Sequence, residues 1–147
     1  MQRTIFVDTS YIVALVNPPD SHHSVAKQLA KQFRDRPLLT TDVVLLEVGN
    51  ALARQSKRQA IGTIERFLNA DNIEVVRLTP DLFDKGFALY KARQDKTWGL
   101  VDCISFVVMQ EAGVTQALSA DRHFAQAGFE VRTFASDAQL QPRSCLA

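Results

Sequence analysis

Only two cysteines, Cys103 and Cys145, occur in 147 residues, far apart and with one close to the end. They build neither a disulfide framework nor a paired-cysteine metal motif, so a reducing cytoplasm is the expected compartment. Charge of one sign is equally scarce: 17 basic residues face 16 acidic ones, a net charge of +1. That excludes a strongly basic nucleic-acid coat and an acidic disordered tail, while leaving local patches open. No apolar run approaches the roughly 18–20 residues of a membrane span. The first apolar run breaks at Asp8 after a single early Arg, a poor signal peptide, so the mature chain is expected to begin near Met1 and stay inside the cell. Repeats and low-complexity segments are missing too. What remains is 46% hydrophobic, enough for one globular core.

The apolar pattern alternates between strand and helix. Thr4-Ile5-Phe6-Val7 reads as a buried strand, and Tyr11 to Val16 as a short helix. After the turn cluster Asn17-Pro18-Pro19-Asp20, Asp20 or Ser21 caps an amphipathic helix through about Phe33. Leu38-Leu39-Thr40 is a short strand, and Asp42 caps a helix from Val43 to about Gln55 with Val44, Val48, Ala51 and Leu52 as its apolar stripe. A helix over Ile61–Leu68 precedes a strand over Ile73–Arg77. Thr79-Pro80-Asp81 starts a helix to about Arg93, expected to bury Leu82, Phe83, Phe87 and either Leu89 or Tyr90. Helix resumes from about Val101 to Ala112 and stops at Gly113. A strand at Gln116–Ser119, a short helix over Asp121–Ala127 and a strand over Phe129–Arg132 complete the chain. This alternation predicts a single α/β domain over 1–135, its mostly parallel sheet covered by helices on both faces. A weakly structured tail, expected to be partly disordered, occupies 136–147.

Four acids stand where that architecture makes them informative. Asp8 lies at the joint of a strand and a helix, and reads equally as an N-cap or as a chemical group. Asp121 follows another strand closely, so two parallel strands of one sheet would make it a neighbour of Asp8. Glu47 has Val44, Val48 and Ala51 at i−3, i+1 and i+4, which puts it beside or within a buried stripe. Asp102 opens a helix with Phe106 and Met109 on the adjoining face. Burying an unpaired carboxylate costs several kcal/mol or shifts its pKa. Two carboxylates about 4 Å apart repel by about 4 kcal/mol at an effective dielectric of about 20. If the four converge, a divalent cation is needed, and oxygen-only ligands favour Mg²⁺ or Mn²⁺ over zinc. Such an ion would activate water for phosphodiester cleavage. Singly, each acid also reads as a cap or an ion-pair member.

Taken together, Ile5-Phe6-Val7-Asp8-Thr9-Ser10, Leu46-Glu47-Val48-Gly49-Asn50-Ala51-Leu52, Leu100-Val101-Asp102-Cys103 and Leu118-Ser119-Ala120-Asp121-Arg122-His123-Phe124 resemble a PIN-domain ribonuclease, close to the VapC-type toxins of toxin–antitoxin modules. The resemblance spans Arg3 to about Thr133. It implies a five-stranded parallel sheet between helices and a Mg²⁺- or Mn²⁺-dependent endoribonuclease. Hydrolysis of RNA would then leave a 3′-hydroxyl and a 5′-phosphate. It further implies Asp8, Glu47, Asp102 and Asp121 as the catalytic and metal-binding quartet, with Thr9, Ser10 and Ser119 as supporting hydroxyls. The partners implied are an RNA substrate, a cognate antitoxin protein and a second copy of the chain.

Other residues carry less. Lys96 and Arg122 are the basic residues best placed for RNA contacts. Trp98 reads either as a base-stacking ring or as a lid on the core. His22 and His23 diverge on a helix, His123 lies near Asp121 and could reach the site although a surface position is preferred, and Cys103 reads as buried packing. Rival readings are a PIN nuclease of RNA processing outside a toxin system, a receiver-like Mg²⁺-binding regulator, and a non-catalytic interaction domain.

Overall fold

The computed structural model describes residues 3–132. The expected tail at 136–147 lies outside that range. Twelve elements follow one another: β1 (Ile5–Val7), α1 (Thr9–Val16), α2 (His23–Gln32), β2 (Leu38–Thr41), α3 (Asp42–Ala53), α4 (Lys57–Asn69), β3 (Ile73–Val76), α5 (Pro80–Ala92), α6 (Leu100–Ala112), β4 (Gln116–Leu118), α7 (His123–Gln126) and β5 (Glu130–Arg132). The five strands form one sheet in the order β3-β2-β1-β4-β5, parallel throughout. Because β1 pairs with β2 on one side and β4 on the other, the strand order reverses at β1. The crevice outside the carboxyl ends of strands flanking such a reversal is where open α/β sheets hold their ligands.

Each strand is short and its apolar residues face helices. Ile5, Phe6 and Val7 are all fully buried, as a central parallel strand covered on both faces requires. α6 is buried around nearly its whole circumference from Cys103 to Met109, so it serves as a core helix rather than a surface one. A knot of five aromatic rings ties β1, α6, α7 and the loop before α6 together. Phe106 makes edge contacts with Trp98 at 5.1 Å and with Phe124 at 5.0 Å, Phe6 lies 5.8 Å from Phe124, and Phe129 closes the cluster at 5.6 Å from Phe106. Trp98 is therefore the core lid rather than the base-stacking ring. It is buried, its indole N–H donates to Gln126, and the Arg93 guanidinium covers its face. Cys103 is buried, as expected.

Several local expectations are corrected. Thr41, not Asp42, caps α3, its hydroxyl accepting the Val44 amide, while Asp42 accepts the Leu78 amide across the fold. α4 begins at Lys57 because the Ser56 hydroxyl caps it, four residues before the apolar period that signalled it. Ala51 is exposed, and the buried stripe of α3 runs through Val44, Leu45, Val48 and Leu52. Phe83 and Phe87, expected in the core, are about 40% exposed. The cause is Gly86: a Cβ there would lie 2.5 Å from Ile104 Cγ1, so α5 presses its glycine onto α6. That contact, with Leu82 buried beside it, turns Phe83, Phe87 and Tyr90 outward as an exposed stack of rings. Among the described residues no helix is long and apolar enough to cross a membrane.

Candidate active site

The β1–β4 pairing puts Val7 opposite Leu118, and the Asp8 amide continues the ladder by donating to the Leu118 carbonyl at 3.1 Å. This single register decision brings Asp8 and Ser119 side by side although 111 residues separate them. The Asp8 backbone occupies the N-cap position of α1 in an extended conformation, yet its side chain makes no cap bond. The carboxylate faces the site instead. Its Oδ2 accepts the Ser119 hydroxyl at 2.9 Å and the Ser10 hydroxyl at 3.1 Å. Asp8 is 5% exposed, and burial pushes its carboxyl from 3.8 up to about 6, against the opposing pull of the Ser119 hydrogen bond. The nearby Asp102 charge adds to the rise.

Ser119 is the joint of the network. Its oxygen also accepts the Asp121 amide at 2.9 Å, while Ser10 accepts the Ala120 amide at 2.9 Å. The segment after β4 is thereby folded back over α1 as a tight turn. Contrary to the expectation from sequence, Asp121 does not begin a helix. It precedes α7, holding the His123 amide through Oδ1 at 3.0 Å and presenting Oδ2 to the His123 ring at 3.0 Å. Asp102, in the first turn of α6, accepts the Gly99 amide at 2.9 Å and meets the same ring nitrogen, His123 Nδ1, at 2.9 Å through the same oxygen, Oδ2. Glu47 is exposed rather than part of the buried stripe of α3. The Thr9 hydroxyl donates to it at 2.7 Å.

Asp8, Asp102 and Asp121 are thus joined through Ser10, Ser119 and His123, and Glu47 is tied to the residue next to Asp8. Among the described residues no Lys or Arg forms an ion pair with any of the four. Asp102, Asp121 and His123 each offer one ligand atom, all within 4.8 Å of one another. A buried carboxylate with a raised pKa, and neighbouring acids that share only an imidazole and no Lys or Arg, form a donor set that fits a divalent cation.

His123 was read as a surface residue. It is half-buried and touches two of the acids, because the turn at Ser119–Asp121 curls it inward. The signal available was the spacing of Asp121 and His123 in a non-helical turn. By contrast His22 is exposed, and His23 Nδ1 contacts the Ala14 carbonyl, away from the acids. Lys96 is half-buried and lines a cleft with Phe87, Tyr90, Lys91 and Thr97, whereas Arg122 is exposed.

The PIN domain matches residues 5–130, nearly the whole described chain. The chain belongs to the PIN-domain family. The 23S rRNA-specific endonuclease VapC20 of Mycobacterium tuberculosis is 32% identical over 131 residues, covering 87% of this chain and 98% of that protein. The crystal structure of M. tuberculosis VapC20, described as a sarcin–ricin loop cleaving toxin, superposes with a TM-score of 0.78 at 30% identity, over 85% of this chain and 95% of the other. A toxin–antitoxin complex from Klebsiella pneumoniae shares the fold at 15% identity and a TM-score of 0.64, over 90% of this chain and 98% of that one. PIN membership and the five-stranded parallel sheet expected from sequence are both borne out, and the receiver-like alternative falls away.

The Ser119 hydroxyl donates to Asp8, which keeps the Ser10 hydroxyl as a second donor, and accepts the Asp121 amide, which would lose this partner. Ser119→Ala is expected to cost about 1–3 kcal/mol, the desolvation penalty of a buried polar group left unsatisfied. Urea titration at pH 7 checks it, and a midpoint unchanged from the parent protein would count against the joint described above.

Proposed function

We propose that this PIN-domain protein is a divalent-metal-dependent endoribonuclease acting as the toxin of a toxin–antitoxin pair in the cytoplasm. The observation that carries the reading is the grouping of Asp102, Asp121 and His123, whose ligand atoms lie within 4.8 Å of one another, beside the buried Asp8 at the carboxyl ends of β1 and β4, with no Lys or Arg paired to these acids among the described residues. Asp8, Asp102 and Asp121 are the residues that would hold the ion. When bound, a divalent cation supplies Lewis-acid stabilisation of phosphate charge and an activated water at neutral pH. Ser10 and Ser119 fix the Asp8 carboxylate in one orientation, and the Gly99 amide does the same for Asp102. Glu47, oriented by Thr9, is suited to hold the attacking water or a second ion. Lys96 and Arg122 would hold the RNA backbone beside the acids. Hydrolysis would leave a 3′-hydroxyl and a 5′-phosphate.

The likeness to a 23S rRNA-specific endonuclease over 98% of that protein's length supports ribosomal RNA as the substrate class. An antitoxin and a second copy of the chain are the proposed protein partners. The exposed Phe83, Phe87 and Tyr90 on α5, with Leu46 and Ile61 on α3 and α4, supply apolar surface for such contacts.

Incubation of the purified full chain with 23S rRNA in Mn²⁺ or Mg²⁺, followed by primer extension, tests the reading. A discrete cut that disappears in excess chelator and returns on adding metal is the expected result. Cleavage undiminished by chelator would refute the metal-dependent mechanism.

A further inference from the structure

A ring nitrogen facing two carboxylates raises a problem of hydrogen bonding. His123 Nδ1 lies 2.9 Å from Asp102 Oδ2 and 3.0 Å from Asp121 Oδ2. A neutral ring has at most one proton at Nδ1 to serve both acceptors, and with the proton on Nε2 the Nδ1 lone pair faces two anionic oxygens. Nε2 lies 3.3 Å from the Thr97 hydroxyl, which can accept a proton held there. The hydroxyl can donate to or accept from that nitrogen, so the contact accommodates an Nε2 proton once an ion takes the Nδ1 lone pair, the way an outer hydrogen bond supports a metal-bound imidazole. The separations fit as well. Two ligand atoms at right angles around an ion about 2.1 Å from each are about 3.0 Å apart. Asp121 is held by the His123 amide through Oδ1, so its Oδ2 is the oxygen turned to the same point.

Resting on the metal-dependent reading above, we propose that His123 is itself a metal ligand, making a mixed nitrogen–oxygen centre with Asp102 and Asp121 that selects Mn²⁺ over Mg²⁺. This replaces the oxygen-only set expected from the acids alone. Imidazole suits first-row transition ions, whereas Mg²⁺ prefers oxygen donors and gives up its water reluctantly. Thr97 acts as a positioning residue through the ring.

The test uses the full chain and MnCl₂ or MgCl₂ alone, with no RNA. Pulsed EPR of the Mn²⁺-loaded protein is expected to show nitrogen coupling that changes when histidine is ¹⁵N-labelled and vanishes in His123→Ala. Calorimetry is expected to show Mn²⁺ affinity falling about 100-fold in His123→Ala and Mg²⁺ affinity about 10-fold, so that the preference for Mn²⁺ collapses. In Thr97→Val, an exposed substitution, Mn²⁺ affinity is expected to fall about 10-fold with the nitrogen coupling retained. The ¹⁵N experiment on the parent protein needs no variant to fold. Saturable Mn²⁺ binding without nitrogen coupling, or equal losses for both ions in His123→Ala, overturns the proposal and leaves a metal-dependent nuclease standing. Absence of saturable binding of either ion overturns both.

Discussion

Asp8→Asn is expected to lose RNA cleavage by about 10³-fold or more while leaving the metal-free protein as stable as the parent at pH 7, or stabler. The two effects have one cause. In the role proposed for Asp8, a metal ligand and the charge that attracts the ion are worth several kcal/mol in the transition state, and about 1.4 kcal/mol is a factor of ten. In the metal-free fold that same charge is a burden, because Asp8 is almost wholly buried and its carboxyl stands near 6 rather than 3.8. A carboxyl whose pKa is raised by folding is bound more tightly to its proton in the native state. Its contribution to stability is therefore complete below about pH 4 and is lost as pH rises through about 6. The loss is on the order of 3 kcal/mol for a shift of about two pH units. Asparagine keeps the shape and an oxygen for the Ser10 and Ser119 hydroxyls without the charge. Urea titrations in chelator at pH 4.5 and pH 7.5 should then converge for the two proteins at low pH and separate at high pH, with the variant ahead. A variant less stable than the parent at pH 7.5 would mean that the Asp8 charge has a cationic partner after all.

The second large effect lies beneath the site rather than in it. Phe106→Ala is expected to cost about 3–5 kcal/mol, the usual range for deleting a buried aromatic ring. Against a total stability of about 5–15 kcal/mol for a single domain, that is a large fraction. Phe106 touches Trp98, Phe124 and Phe129 at once, so its removal leaves a cavity bounded by three separate segments. Asp102 sits one turn before Phe106 on α6, and His123 immediately precedes Phe124 on α7. Loosening the ring cluster is therefore expected to loosen the Asp102–His123–Asp121 grouping, with metal affinity falling even at temperatures where the variant is folded. Thermal melts with and without MnCl₂ measure both: the parent should gain more in melting temperature from the ion than Phe106→Ala does. Equal gains would separate the packing from the site.

The contrast between these two residues explains what could be read from the chain without coordinates. Asp8 and Asp121 were legible because parallel strands share an edge: once Thr4–Val7 and Gln116–Ser119 read as strands, the acids following them had to approach. Glu47 and Asp102 were legible as acids flanking apolar periods, though Glu47 proved exposed because the stripe of α3 turns through Leu45 rather than Ala51. His123 was ranked as a surface residue because its direction depends partly on a turn closed by Ser10 and Ser119, which are far apart in the chain. The local spacing of Asp121 and His123 was the one signal for it. Phe83 and Phe87 were misplaced for a related reason. Hydrophobicity favours the core for a phenylalanine, but the helix face is chosen by which residue permits the closest approach, and on α5 that is Gly86 against Ile104. Trp98 stayed ambiguous until its neighbours were known, since a lone indole in a polar loop suits a lid and a stacking platform equally.

The position of β1 between β2 and β4 bears on when, during synthesis, the site can be assembled. Synthesis delivers β1, β2 and β3 early, and those strands can pair as soon as they emerge. β1 keeps one edge open until Gln116–Leu118 arrives and lays its ladder against Ile5–Val7. Only then does Asp8 acquire Ser119, and only a few residues later does Asp121 join Asp102. A ribosome-bound chain that stops short of β4 holds the first acid, the helix of Glu47 and the helix of Asp102, yet no assembled centre. The order of the strands makes the last part of the polypeptide the step that completes the site, so products truncated before β4 are expected to lack the assembled Asp102–Asp121–His123 grouping.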